Sequence, residues 1–513
     1  MTFADLRLRD VLVRNAEIYR ADRAVGFDGQ WVTWGDLAER VFRLANQMAC
    51  AGVERGSRVG VLQRNGPEIA EIYFAAAVLG AVAVPISPRL TVDEVAYVAR
   101  DAELAFAFVE DGHPAGGAVE PARTVRTRAA EYVDFRDAGD AHEPASGESA
   151  DDPVFQLYTS GTTGRPKGAV VSQSAMIQNG LTILVAQQLR HDDVFLSATP
   201  LTHAASGTRV FSMAVDGIAH AILERYTIDG FIEAVERDGV TTTILVPAMV
   251  QDLLRSPHLD PARLTSLRSL VYGAAPMPVA VIQEALDRLP CGLIQGYGQT
   301  EAGTALTVLT AEEHRRFAAD PALHHRLASV GRAAPGVRFR VVDDSGAPVG
   351  PDQPGEILVR GVKTMTGYWR LPDATAAADR DGWLATGDVG CQDRDGYLYL
   401  IDRRNDTIIS GGLNVYPSEI ERVVRSDAAV QDAAVVGVPD ERWGETPVAF
   451  VVSTDPDVVG RLRATCRELL AGYKQPREFR VVEGLPRNPT GKVLRAELRR
   501  WAQDMDVTSK GDR

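Results

Sequence analysis

Residues Tyr158 to Val171 read YTSGTTGRPKGAVV: glycines at 161, 164 and 168, hydroxyl residues between them, and one lysine, Lys167. A Walker A loop carries Ser or Thr directly after its lysine so that the hydroxyl can reach a metal; here Gly168 follows. The composition still suits phosphate. Glycines let backbone N–H groups turn into one concavity, hydroxyls add donors, and Lys167 adds charge. The competing reading is a Ser/Thr/Gly turn with an exposed lysine, and the density of features argues against it. VFQLY, just upstream, reads as a strand that feeds the loop.

Outward from the loop, helical and strand patterns alternate. TWGDLAERVFRLANQMACAG has apolar residues at helical spacing, RVGVLQRN reads as a short buried strand, and PEIAEIYFAAAVLGAVAVPIS reads as a helix, a Gly break and a strand. This alternation predicts a parallel α/β architecture. Residues 111 to 153, rich in Gly, Pro, Ala and acids, read as a long surface segment. Beyond residue 400, short strands (AAVVGVP, PVAFVV, EFRVV) and helices (EIERVVR, RLRATCRELLAG) predict a small α+β domain. The expected boundary puts residues 1–404 in a large N-terminal domain and 405–513 in the small one.

The chain has 513 residues, enough for two or more structural units. Its net charge of -14 argues against nucleic acid as a partner of the whole chain. The N-terminal residues mix charge into every turn, and no apolar run is long enough to span a bilayer. The four cysteines, Cys50, Cys291, Cys391 and Cys466, lack metal-ligand spacing and read as reduced thiols of a cytoplasmic protein. Only five residues are lysine: Lys167, Lys363, Lys474, Lys492 and Lys510. In a chain that otherwise uses Arg, a lysine is expected where a compact point charge is needed. Lys363 and Lys510 read as exceptions, placed by chance.

Further motifs accompany the loop. They are YGQTEAG (Tyr297 to Gly303), ATGD (Ala385 to Asp388), DRRNDTIISGGLNVYPSEIE (Asp402 to Glu421) and NPTGKVLR (Asn488 to Arg495). In composition and order this set resembles the signatures of the adenylate-forming superfamily, which includes acyl-CoA synthetases, adenylation domains and luciferases. The matches span most of the chain. The resemblance implies an α/β fold: a large N-terminal domain of layered sheets plus a distorted barrel, followed by a small mobile α+β C-terminal domain.

It also implies a reaction. A carboxylate attacks the α-phosphate of ATP, pyrophosphate leaves, and the acyl group passes to the thiol of CoA. Two anions must approach each other, so cations and donors must offset the repulsion. By this resemblance Thr159, Ser160, Gly161, Thr162, Thr163, Gly164 and Lys167 hold the β- and γ-phosphates. Glu301 ligates Mg2+ and Thr300 meets the α-phosphate. Tyr297 stacks on adenine within the segment Gln295, Gly296, Tyr297, Gly298. Gly273, Ala274, Ala275 and Pro276 form the other wall, and Asp388 with Arg403 binds the ribose. Lys492 bridges carboxylate and α-phosphate. After adenylation the small domain turns about Asn405, a position where many relatives carry Asp or Lys. Asn tolerates unusual backbone angles, which suits a pivot. Ser410, Gly411 and Gly412 then border the pantetheine path, with Trp443, Tyr473 and Lys474 towards CoA.

His203, in PLTHAASGT, matches a histidine that positions the acid or gates the thiol. The acyl pocket is expected from His203, Ala204, Ala205, Val246, Gly273, Gly296 and Thr304, a small and mostly apolar lining. VPAMVQDLL lacks an arginine for a dicarboxylate. The expected substrate is a fatty or aromatic monocarboxylic acid. Two other acceptors stay open at this point, an acyl-carrier protein supplied in trans and an amine or other nucleophile. A homodimer is compatible with such a chain.

Overall fold

The computed structural model describes residues 5–119, 123–145, 147–159, 165–411, 413–440, 442–487 and 493–509. Two compact units emerge. The first comprises Met1–Phe339, Leu358–Leu384 and Gly396–Leu398; the second comprises Arg340–Ile357, Ala385–Asp395 and Tyr399–Arg513.

The first unit is built on two large sheets. One has nine strands, in the order Arg332–Ala333, Gly303–Leu309, Gly292–Gln299, Ser269–Gly273, Thr242–Leu245, Val194–Ser197, Ala219–Ile222, Arg23–Phe27, Gln30–Thr33. Its central strands run parallel and its edges antiparallel. The other has seven, in the order Gly367–Tyr368, Lys167–Ser172, Pro153–Thr159, Val82–Ile86, Arg58–Leu62, Phe106–Glu110, Thr124–Thr127.

Helices packed on these sheets share one core. Helix Trp34–Cys50 starts where Thr33 Oγ1 accepts the N–H of Asp36 (3.2 Å), and it buries Leu37, Val41, Leu44 and Met48. Helix Glu68–Val78 is buried on every side, as its sequence EIAEIYFAAAV requires. Its Tyr73 and Phe74 meet Phe155 and Phe211 edge to face, at 4.9 and 5.0 Å between ring centres. The one acid buried on that helix, Glu71, is matched by Arg40, Arg136 and the Tyr132 hydroxyl.

Tyr132 lies in the segment expected to be surface loop, and that expectation needs correcting. Strand Thr124–Thr127 extends the seven-stranded sheet in parallel with Phe106–Glu110, and helix Ala130–Asp137 buries Tyr132 and Phe135. The strand is four residues long and the helix eight. Elements this short carry too few apolar positions to stand out from a Gly- and Pro-rich background.

Where a barrel is expected, the described residues form a four-stranded sheet in the order Val337–Val342, Gly355–Gly361, Leu384–Gln392, Leu398–Arg403. In the second unit, strands Leu413–Val415, Ile408–Ser410, Gly444–Val452 and Asp432–Asp440 pair in that order, with Glu478–Val482 parallel to Gly444–Val452. Strand Asp432–Asp440 is apolar on both sides. Ala433 and Val435 pack with helices Pro417–Val424 and Val458–Leu469, whereas Ala434 and Val436 pack with Leu498 and Ala502 of helix Arg495–Ser509.

Candidate active site

The opening loop springs from an antiparallel pair in which Thr159 faces Lys167. Ser160, Gly161, Thr162, Thr163 and Gly164 lie outside the described residues. What frames the loop is well defined. Thr159 Oγ1 donates to Glu301 Oε1 at 2.9 Å, and the Tyr368 hydroxyl donates to the same oxygen at 3.1 Å. Lys167 Nζ stands 5.2 Å from the centre of the Tyr368 ring. Tyr368 reaches this point because strand Gly367–Tyr368 pairs with Lys167–Ser172, with Tyr368 opposite Ala169. Two hydroxyls thus fix one carboxylate oxygen beside Thr159, where the loop leaves the strand pair.

That arrangement fits Mg2+. The ion needs hard oxygen ligands and often takes one or two carboxylates, completing its shell with phosphate oxygens and water. Among the described residues no three His, Cys, Asp or Glu side chains gather at one point. Glu301 would hold the ion by one carboxylate, and the ion would supply charge neutralisation at the phosphates.

Glu301 and Thr300 sit in the turn between strands Gly292–Gln299 and Gly303–Leu309, where the register shifts between Tyr297 and Gln299. Gly298 is required here, since a Cβ on it would lie 2.5 Å from the backbone of Thr304. Gly273 and Gly296 are opposite each other on neighbouring parallel strands. A Cβ on Gly273 would strike the carbonyl of Gly296, whereas one on Gly296 would meet open space. Tyr297 is buried on the same strand, and the Gln295 side chain is turned into the core, accepting from the Tyr272 hydroxyl at 3.3 Å. Ala274, Ala275 and Pro276 are exposed at the end of strand Ser269–Gly273. Ala274 has φ +67, a backbone state that costs an ordinary L-residue about 1–3 kcal/mol and is found where function holds the chain.

Three of the residues expected to face the acid stand at the start of helix Ala204–Ala214. His203 is its N-terminal cap; Ala204 and Ala205 form its first turn. Burial, with Arg89 adding to it, pushes the His203 imidazole down to about 4, so the ring is neutral at ordinary pH. Its Nε2 is buried and has no hydrogen-bond partner among the described residues. An unpartnered nitrogen of this kind can receive a polar group of a ligand. Val246 caps helix Pro247–Arg255. Thr304 is held by Asn179, whose Nδ2 donates to Thr304 Oγ1 at 3.0 Å and whose Oδ1 accepts the Thr304 N–H at 3.1 Å.

In the second unit, Arg403 Nε and Asp388 Oδ1 form an ion pair at 2.8 Å, so two motifs distant in sequence meet. Asn405 lies in the turn Arg404–Asp406. Its neighbours are tied to different elements. Arg404 pairs with Glu356 and, at 3.5 Å, with Asp344; Asp406 pairs with Arg499 at 3.0 Å and Arg495 at 3.6 Å. Ser410 is buried, and Gly411, at φ +61, packs on the Trp443 ring. Gly412 and Lys492 lie outside the described residues. Tyr473 is exposed. Lys474 is already engaged, donating to both Glu419 oxygens at 2.8 Å; burial works against its charge, and this pairing outweighs it and raises its affinity for the proton.

Sequence reasoning missed Tyr368 and Asn179, which act on Glu301 and Thr304 across the fold. It also misjudged Lys363. That side chain is 2% exposed and donates to the Ala305 carbonyl, so it is not the solvated lysine that a chance placement would leave. The scarcity itself was the available signal.

With this geometry in hand, comparison with known proteins is direct. The family described as AMP-binding enzyme matches residues 12–369, and the AMP-binding enzyme C-terminal domain matches residues 419–492. The chain is 37% identical over 492 residues to a feruloyl-CoA synthase of Amycolatopsis, covering 95% of this chain and 97% of that one. It is 35% identical over 500 residues to a fatty acid–[acyl-carrier-protein] ligase of Streptomyces coeruleorubidus, covering 93% and 92%. The solved structure of o-succinylbenzoate CoA synthetase from Bacillus subtilis, in complex with its acyl-adenylate intermediate, superposes with a TM-score of 0.87. It is 29% identical and covers 97% of this chain and 99% of that one.

Proposed function

We propose, for a chain that belongs to the AMP-binding enzyme family and is an AMP-forming acid–CoA ligase using ATP, Mg2+ and CoA, that the acid is an aromatic monocarboxylate of the arylpropenoate type. The observation that carries this reading is the bare glycine pair Gly273–Gly296, with open space above Gly296. A bare glycine pair, with the small side chains Ala204 and Ala205 taken as its neighbours in the acid pocket, suits a planar ring. No charge lies in Val246–Met249 to hold a second carboxylate. The feruloyl-CoA synthase relative agrees with this choice.

The roles are those that the motifs imply. Thr159 and Lys167 flank the leaving phosphates, and Glu301 holds Mg2+ beside them. Asp388 and Arg403 take the ribose, Tyr297 the adenine, and His203, neutral, directs the carboxylate through Nε2. Lys492 offsets the charge of the two approaching anions. Asn405 is the pivot, with 1–404 and 405–513 as the moving bodies; it lies in a short turn whose flanking Arg404 and Asp406 are tied to different elements. After the turn, Ser410, Gly411, Gly412, Trp443 and Tyr473 line the approach of CoA. A need for ATP and CoA supports a cytoplasmic location, where both are found. Among the described residues no helix is long and apolar enough to cross a membrane.

The test is a panel of ferulate, cinnamate, benzoate, octanoate and malonate, read by pyrophosphate release. Products are identified by mass with CoA or a carrier protein as acceptor. Ferulate or cinnamate should give the highest kcat/KM, with CoA as the acceptor. Preference for octanoate or malonate would overturn the acid class, and preference for the carrier protein would overturn the acceptor.

A further inference from the structure

Lys363 is buried in the first unit, and its Nζ donates to the carbonyl of Ala305. Its stem lies over Gly303, where a Cβ would come within 3.0 Å of Lys363 Cγ and Cδ and 3.3 Å of Asn179 Oδ1. Two residues on, the Met365 N–H donates to the Glu301 carbonyl at 2.8 Å; beyond it the Tyr368 hydroxyl reaches the Glu301 carboxylate. The segment 363–368 therefore grips the segment 301–305 at both ends. The gripped segment carries the carboxylate beside the phosphate loop and Thr304 at the acid pocket.

A buried ammonium without a counter-ion is a poor way to stabilise a fold, because desolvation disfavours the charge. Among the described residues Lys363 has no ion-pair partner. The strand that packs against it presents Gly303 and Ala305, and helix Gln173–Ala186 presents Asn179; none of these is charged. Burial pushes the amine down to about 7. An apolar residue of the same length would pack there at less cost, so the hydrogen bond to Ala305 is the feature that needs explaining.

We propose that Lys363 is a positioning residue for adenylation: it clasps the strand after Glu301 and sets Thr304 and the Glu301 carboxylate in register with each other. It touches no reacting atom. Lys363→Met keeps the stem and removes the donor; Lys363→Gln keeps a donor and removes the charge.

Both variants of the full chain are assayed for acid-dependent pyrophosphate release, with KM for the acid and the Mg2+ requirement measured separately. Their Tm is followed from pH 6 to 9.5. Loss of one positioning hydrogen bond predicts about a ten-fold fall in kcat/KM for the acid in Lys363→Met, partly recovered in Lys363→Gln. The Tm of Lys363→Met should equal or exceed that of the parent at neutral pH. The sign of the pH effect follows from the amine. Its value is 10.5 unfolded and about 7 folded, so between them the unfolded chain binds the extra proton. Stability of the parent therefore rises with pH across that window, and Lys363→Met lacks this rise.

Unchanged kcat/KM in Lys363→Met would overturn the proposal, as would a loss of activity that merely tracks a lower Tm. Equal pH slopes in parent and variant would overturn the buried, uncompensated amine on which it stands. Failure of the underlying adenylation reading looks different: the parent itself would release no pyrophosphate with any acid, while the Tm comparison would still report on Lys363.

Discussion

Around Glu301 and His203, the first unit leaves charge and polarity unbalanced: among the described residues, His203 Nε2 has no partner and Lys363, bonded to the Ala305 carbonyl, has no counter-ion. Around Asn405, the second unit keeps its charges matched: Arg404 with Glu356, Asp406 with Arg495 and Arg499, Asp388 with Arg403, Lys474 with Glu419. The contrast matches the two tasks proposed for these regions. A region that receives anions must hold donors in place before the ligand arrives, so that no reorganisation is needed during reaction. A region that turns must hold each position by contacts that can be exchanged, and part-exposed ion pairs are weak enough for that.

The comparison can be broken at three places. Lys492→Ala removes the cation expected to join the acid to the α-phosphate, and should lower acid-dependent pyrophosphate exchange on the order of 10²–10³-fold while ATP still binds. Exchange near the parent rate would leave the first unit sufficient for adenylation by itself. Glu301→Gln keeps the shape but weakens the metal ligand, and should raise the Mg2+ concentration at half-maximal rate roughly 10–100-fold. A superimposable titration would remove Glu301 as a ligand. Asn405→Pro fixes one backbone angle in the turn Arg404–Asp406. It should leave adenylation within about two-fold and slow thioester formation about ten-fold. Equal loss of both steps would mean that the matched charges serve stability, not a turn.

Much of this was legible in the sequence because the chemistry demands particular residues at short spacing. The loop around Lys167 and the YGQTEAG stretch lie in short segments dense in glycine and hydroxyl residues, a composition that stands out by itself. The long strands and helices were legible for a related reason: runs such as EIAEIYFAAAV or AAVVGV are apolar in patterns that only burial on several sides explains. The short strand Thr124–Thr127 and helix Ala130–Asp137 were not legible, since their burial rests on a few residues in a polar background.

The sequence by itself determined the reaction class, the order of the motifs and the scarcity of lysine. Tertiary structure alone decided how those residues are used. Tyr368 serves Glu301 because a two-residue strand joins the sheet edge beside Lys167. Lys474, expected towards CoA, is held by Glu419, and Lys363, which reads as chance, is buried against Ala305. A side chain's charge is written in the sequence. Whether that charge is spent, screened or desolvated depends on neighbours brought from distant parts of the chain, and that is a property of the fold.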